Sequence, residues 1–308
     1  MIAANLLAVT LLIGFAGERW LPAASWAGRA PRLAIAAWCV LLGTVLAGLA
    51  AVGITALLPA PPVVCALLVW CVHPGSPAVA LLLRAAGDAV AVSWAGVALA
   101  VAVRAGRALW AQAGSRRRHR EMLTLAGRPD PAFDGTVIEH PRPAAYLAPG
   151  RRVVVTTGAV DRLSGAQLDA VLAHERAHAG GRHQLLLDMV RLAAQALPVR
   201  LLRTAQVQIG RLVELRADDV AARAHSRHAL ATALVSMAAS DTAGAGLVAA
   251  GGGDAAERVR RLLVPPCRLG PWPVVGIGTA LALVTALPLL ALVLDGWWPS
   301  LVRCVWIG

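Results

Sequence analysis

The sequence predicts a multi-pass α-helical membrane protein with an α+β domain inserted between its spans. Three observations predict it. Of 308 residues, 58% are hydrophobic and only 15% charged, against roughly 25% charged in soluble domains, and the mean hydropathy is +0.65. Uncharged runs of spanning length occur toward both ends of the chain but not between 111 and 268. None of the ten tryptophans falls between 111 and 271, where the chain instead carries short β-branched stretches and amphipathic helices.

A spanning helix needs about 20 apolar residues, with roughly 17 to 25 as the usual range. The first expected span, about 2–17, ends at Glu18 and Arg19. No basic residue precedes it, so it reads as a span and not as a cleaved signal peptide. The second, about 33–58, carries no charge. The third, about 86–108, is built on the short uncharged run 89–103. Trp110 and the snorkelling Arg104 and Arg107 extend it, and Arg84 and Asp88, four apart, can pair near its outer end. The fourth lies at about 273–294 and leaves a short tail. Trp20, Trp26, Trp110, Trp272, Trp297 and Trp298 stand at the span ends, where amphipathic rings prefer to be. The expected organisation is therefore a membrane region over 1–110, a soluble domain over 111–268, and the last span with its tail over 269–308.

Arginine sets the orientation. The net charge is +12, and every basic residue is arginine. Seven of them (104, 107, 116, 117, 118, 120 and 128) lie between 104 and 128 beside one glutamate, whereas the loop from about 59 to 84 has almost none. The positive-inside rule then places the N-terminus outside and residues 104–270 in the cytoplasm. The arginine cluster reads as an anchor to lipid headgroups, and direct nucleic-acid binding is not expected. Residues 60–83 could cross as an extra span, but that would put the cluster on the wrong side, so they are read as a loop. The five cysteines show no C-x-x-C spacing and read as small buried hydrophobes.

Within 111–268, extended stretches are expected at 135–140, 144–148 and 151–160, separated by Pro-Gly and Gly punctuation. Ser164 and Gln167 form an S-x-x-Q capping box ahead of a helix whose apolar stripe is Leu168, Val171 and Leu172. Gly180-Gly181 ends or bends it. Further helices are expected at 184–197, 211–224, 228–239 and 256–263, with a Gly-rich loop at 243–253.

The chemistry lies in "HERAH", residues 174–178. His174 and His178 are four residues apart, which puts both imidazoles on one helix face and suits a tetrahedral divalent metal. Glu175 adjoins the first histidine, placed to act as a general base on a water held at such an ion. A catalytic zinc usually takes three protein ligands and a water. His183 is one residue early for the pattern H-E-x-x-H-x-x-G-x-x-H and, on a continuous helix, would face away from His174. Glu214, in "ELRAD" on a second helix, is the better third ligand. Asp218, one turn later, can accept the spare imidazole N–H of a ligand histidine. Candidates for a transition-state hydrogen-bond donor are Tyr146, Arg223 and His225. An extended substrate could add to an edge strand near 144–157.

With H-E-x-x-H followed by E-x-x-x-D, the sequence resembles the gluzincin-type membrane metallopeptidases. The closer resemblance is to the BlaR/MecR antirepressor peptidase family, carried by "RPAAYLAPGRRVVVTTGAVDRLSGAQLDAVLAHERAHAGGRH" and "ELRADDVA". It is similar, more distantly, to the HtpX and CAAX-prenyl-protease group. The resemblance implies a zincin-like (gluzincin) metallopeptidase domain inserted among the spans, with one Zn2+ per chain and Glu175 as the catalytic residue. It also implies a protein substrate, here a cytosolic winged-helix repressor of the BlaI type, or damaged membrane proteins on the HtpX-like reading. Antirepressor receptors that sense β-lactams carry an extracellular penicillin-binding domain after the last span. These 308 residues carry none, so antibiotic sensing is not expected.

Overall fold

The computed structural model describes residues 2–57, 77–131, 135–242, 248–265 and 269–306. Most of the possible extra span at 60–83, and residues 243–247 of the Gly-rich stretch, lie outside the described residues. The chain divides into two compact units. One comprises Met1–Leu21, Ala37–Ala105 and Pro271–Gly308; the other comprises Pro22–Ala36 and Gly106–Gly270.

The first unit is helical. α1 (Ile2–Trp20), α2 (Pro31–Leu57), the N-terminal part of α3 (Pro77–Ala126) and α10 (Pro271–Trp306) are long apolar helices. Among the described residues, three stretches are long and apolar enough to cross a membrane by length and composition: Pro31–Thr55, Ala85–Ala126 and Pro271–Ala291. α1 is a helix but is not among them. Small residues bring α1 and α2 together. A Cβ on Gly48 would stand 2.4 Å from Thr10 Oγ1, and one on Gly17 would stand 2.4 Å from a Leu41 methyl, the close approach that small residues give apolar helices. Cys39, expected as a buried hydrophobe, is exposed. α3 is one unbroken helix across the polarity change near residue 104. Alanine, arginine and glutamate all favour helix, so the switch from apolar to charged residues alters the helix's surroundings without ending it. α10 likewise continues past the expected end at 294.

The second unit holds a four-stranded sheet in the order β1-β2-β4-β3. Its strands are β1 (Gly127–Asp130), β2 (Gly135–Ile138), β3 (Ala145–Ala148) and β4 (Arg152–Thr156). β2 and β4 run parallel, and the two outer pairs are antiparallel. Three strands fall within the extended stretches expected at 135–140, 144–148 and 151–160. β1 was not anticipated, because "GRPD" has neither β-branched residues nor alternation. The β3–β4 turn is a Pro-Gly turn in which Gly150 takes φ +96°, a conformation that glycine adopts without a steric penalty. The extended run expected to reach 160 stops at Thr156. That side chain caps α4 (Thr157–Arg162) by accepting from the Ala159 N–H, and it donates to Arg142 O at 2.8 Å.

α5 (Gly165–Gly180) begins at the expected capping box, with Ser164 and Gln167 bonded reciprocally. One face packs Leu168, Val171 and Leu172 against Val153 and Val155 of the sheet. Ala170 joins Ala221, Leu230, Ala231 and Leu262 in a second core. Then follow α6 (His183–Ala196), α7 (Arg200–Ala224), α8 (Arg227–Thr242) and α9 (Val248–Leu263). α7 starts well before 211, because Leu201, Leu202, Ala205, Ile209 and Leu212 continue its buried stripe. α9 starts at 248, so residues 248–253 are helical and not the loop that their glycines suggest.

Candidate metal centre

α5 and α7 pack side by side and bring two parts of the motif together. The Nε2 atoms of His174 and His178 lie 3.1 Å apart. Glu214, from α7, sets Oε2 at 3.3 Å from His174 Nε2 and Oε1 at 3.4 Å from His178 Nε2. Adjacent ligands of a tetrahedral ion with bonds of about 2.0 Å stand about 3.3 Å from one another. The three donors therefore fit a single divalent ion, and they are the one His/Cys/Asp/Glu group among the described residues that could hold one. Two ring nitrogens and a carboxylate are a donor set suited to zinc.

Each imidazole has a different support. His174 is buried, and its Nδ1 lies 2.9 Å from Asp218 Oδ1. Asp218, one turn beyond Glu214, has only 1% of its side chain exposed. His178 turns its Nδ1 to His183 Nδ1 at 3.2 Å. The expectation that His183 faces away assumed a continuous helix. The chain instead turns through Gly180, Gly181 and Arg182, which takes a left-handed φ of 50°, and His183 comes back against His178 without joining the ligand group. Gly181 makes room for it, since a Cβ there would stand 2.3 Å from His183 Nε2.

The electrostatics favour positive charge at the centre. Burial opposes protonation of His174, but Asp218 and Glu214 override it and hold the imidazole up at about 9. A divalent cation would satisfy the same field. His178, whose burial outweighs the pull of Glu214, is pushed down to about 4 and is neutral, as a ligand must be. Burial lifts Glu175 to about 7, against the pull of His174 and a hydrogen bond donated by the Leu147 N–H. A carboxylate poised there can both take and give up a proton at neutral pH.

Arg258, on α9, was not singled out from the sequence. Its guanidinium donates to both oxygens of Asp218, each at 2.8 Å, and also meets Glu214 Oε2 at 3.0 Å. The candidate donors are placed elsewhere. The ring of Tyr146 lies 5.6 Å from that of His119. Arg223 and His225 stand at the C-terminal end of α7. None of the three forms a hydrogen bond or ion pair with the cluster among the described residues.

Residues 110–205 match the model of the family described as Peptidase family M48. The matched stretch contains His174, Glu175 and His178 and stops short of Glu214. It supports a metallopeptidase of that family and does not single out the BlaR/MecR antirepressor type. No curated protein and no solved structure matches the chain.

Proposed function

We propose that the chain is an integral-membrane, zinc-dependent endopeptidase that hydrolyses peptide bonds of a protein substrate at the cytoplasmic face, with its N-terminus outside. The observation that carries this reading is the convergence of His174, His178 and Glu214 to 3.1–3.4 Å beside the Glu175 carboxylate. His174, His178 and Glu214 would hold the ion, and Asp218 would fix the ring of His174. Bound there, zinc would lower the pKa of a water to about 7 and polarise the scissile carbonyl.

The chain's own residues supply the rest. Glu175 takes the proton of the attacking water as the new C–O bond forms, then gives it to the leaving amine as the C–N bond breaks. The register of β3 orients the substrate. Ala144 pairs its carbonyl with the Thr156 N–H at 2.9 Å, so alternation turns the main-chain groups of Ala145 and Leu147 toward the open edge. The Leu147 N–H goes to Glu175. The Ala145 N–H and C=O and the Leu147 C=O remain for an added substrate strand.

The substrate proposed first is a cytosolic winged-helix repressor of the BlaI type, so that cleavage would relieve repression. The second reading is an HtpX-like quality-control protease acting on membrane proteins. It is favoured by the membrane-length apolar stretches on both sides of the peptidase segment, at Ala85–Ala126 and Pro271–Ala291. Trapping of bound, uncleaved substrate by Glu175→Gln, followed by mass spectrometry, separates them. Capture of one DNA-binding protein supports the first, and capture of many membrane proteins supports the second. Unchanged peptide hydrolysis by Glu175→Gln would refute both.

A further inference from the structure

We infer that Arg258 is a positioning residue of the metal centre, fixing the ligand Glu214 and the histidine-orienting Asp218 relative to one another through a single guanidinium. The inference rests on the metallopeptidase reading above and concerns a residue outside its motifs.

The contacts divide as follows. Asp218 Oδ2 receives Arg258 Nε at 2.8 Å, and Oδ1 receives Nη2 at 2.8 Å while also facing His174 Nδ1 at 2.9 Å. Both oxygens are thus engaged, and the plane of the carboxylate is set. Arg258 Nη1 reaches Glu214 Oε2 at 3.0 Å. A planar fork with fixed angles can hold two carboxylates in one geometry, whereas an ammonium is a point charge that cannot reproduce it. Arg258 also balances charge. Asp218 is almost fully buried, and a buried carboxylate keeps its charge only if it is paired and hydrogen-bonded.

The plainer alternative is that Arg258 only fastens α9 to α7. Its neighbours do that. Glu257 pairs with Arg211, and Arg261 Nη1 meets Asp219 Oδ1 at 2.7 Å. Those pairs are more open to solvent and touch none of the proposed ligands. Arg258 has 15% of its side chain exposed, against 27% and 35% for the Arg211–Glu257 pair. One helix therefore supplies both the fasteners and the brace, which allows a controlled test.

The test is zinc affinity of the full chain in detergent micelles, measured by competition with a chelating indicator, for native protein, Arg258→Met, Arg258→Lys and Glu257→Gln. The expected result is a loss of about 10- to 100-fold for Arg258→Met, the usual effect of removing a residue behind a metal ligand. Arg258→Lys should recover part of it, and Glu257→Gln should bind as the native chain does. Native affinity in folded Arg258→Met overturns the inference, as does an equal loss in Glu257→Gln, which would assign the effect to helix docking. If Arg258→Met does not fold, Arg258→Lys decides: reduced affinity supports the brace, and native affinity overturns it. Failure of the native chain to bind zinc would defeat the metallopeptidase reading itself, a different outcome from native binding that these variants leave untouched.

Discussion

The membrane-type helices and the inserted segment bury opposite things. Along α3 and α10, large apolar side chains point outward, with Leu99 66% and Leu283 63% exposed. In the inserted segment the apolar residues lie inside around Val154, Ile209 and Val213, and the groups that stand out are buried polar ones: His174, His183, Asp188 and Asp218. The difference teaches how much each solvent asks of a sequence. Lipid is as apolar as leucine, so a span needs composition and length but little order among its residues. Water demands a place for every side chain, and a polar group taken out of it needs a partner. Asp188 meets that demand through Arg116 at 2.6 Å, and Asp218 through Arg258 and His174.

The largest expected effect tests the buried polar groups. Glu175→Gln keeps the shape and loses the base. Peptide hydrolysis should fall by about 10²- to 10⁴-fold, while zinc binding measured by metal analysis stays at one ion per chain, since Glu175 is not among the converging donors. Loss of the metal along with the activity would place Glu175 in the ligand set and alter the assignment.

The next effect tests the contrast itself. Leu283→Arg puts a guanidinium on the outward face of α10 and should cost about 2.5–3.5 kcal/mol of membrane insertion if that face meets lipid. Val207→Arg, at a position 67% exposed on α7, should stay within about 0.5 kcal/mol, as surface substitutions do. A glycosylation-reporter assay reads the first, and a thermal-shift measurement reads the second. Equal and small effects would mean that α10 does not face a bilayer.

The same contrast explains what was legible in the sequence. His174, Glu175 and His178 declare themselves because i,i+4 spacing on one helix is a local property. Glu214 and Asp218 repeat that spacing on a second helix, so they could be found as a pair once the first motif was read. Arg258 carries no such signal. It acts across 40 residues of chain from Asp218, on a helix whose first turns contain three consecutive glycines, and nothing local distinguishes it from Arg260 or Arg261. The orientation of His183 escapes periodicity for a related reason: it depends on a turn at Gly181 and Arg182 that a continuous helix does not describe. In the apolar helices, existence was legible but ends were not. α3 runs unbroken through residues 108–111, where polarity suggested a boundary, because hydropathy reports the surroundings of a helix and says nothing of its hydrogen bonds.

A smaller effect tests helix ends. A helix terminus in water can find solvent partners, yet α5 closes its own with the Ser164–Gln167 box. Ser164→Ala should destabilise the segment by about 1 kcal/mol and speed hydrogen exchange in the first turn of α5, with no change at the α10 amides. Exchange that quickens equally in both would show one cooperative unit where two are described.

The smallest effect concerns a pair that water screens. Glu257 and Arg211 form a two-pronged ion pair on α9 and α7, with 35% of the Glu257 side chain and 27% of that of Arg211 exposed. The arginine beside it holds the Glu257 carboxyl below its ordinary value, with burial opposing. A carboxylate whose pKa is lowered by folding contributes stability above its unfolded pKa, about 4.3, and loses it as the pH falls through the folded value. Partial exposure limits the contribution to about 0.5 kcal/mol. Glu257→Gln should therefore lower the unfolding midpoint slightly at pH 7, and the difference from the native chain should fade as the pH falls through the lowered folded value of Glu257, below which both side chains are neutral. Added salt should shrink the pH 7 difference as well, because a partly exposed pair is screened. A difference that persists at low pH would mean that shape and hydrogen bonding, not charge, hold α9 at that point, and the contrast between the screened pair and the buried Arg258 brace would lose its electrostatic basis.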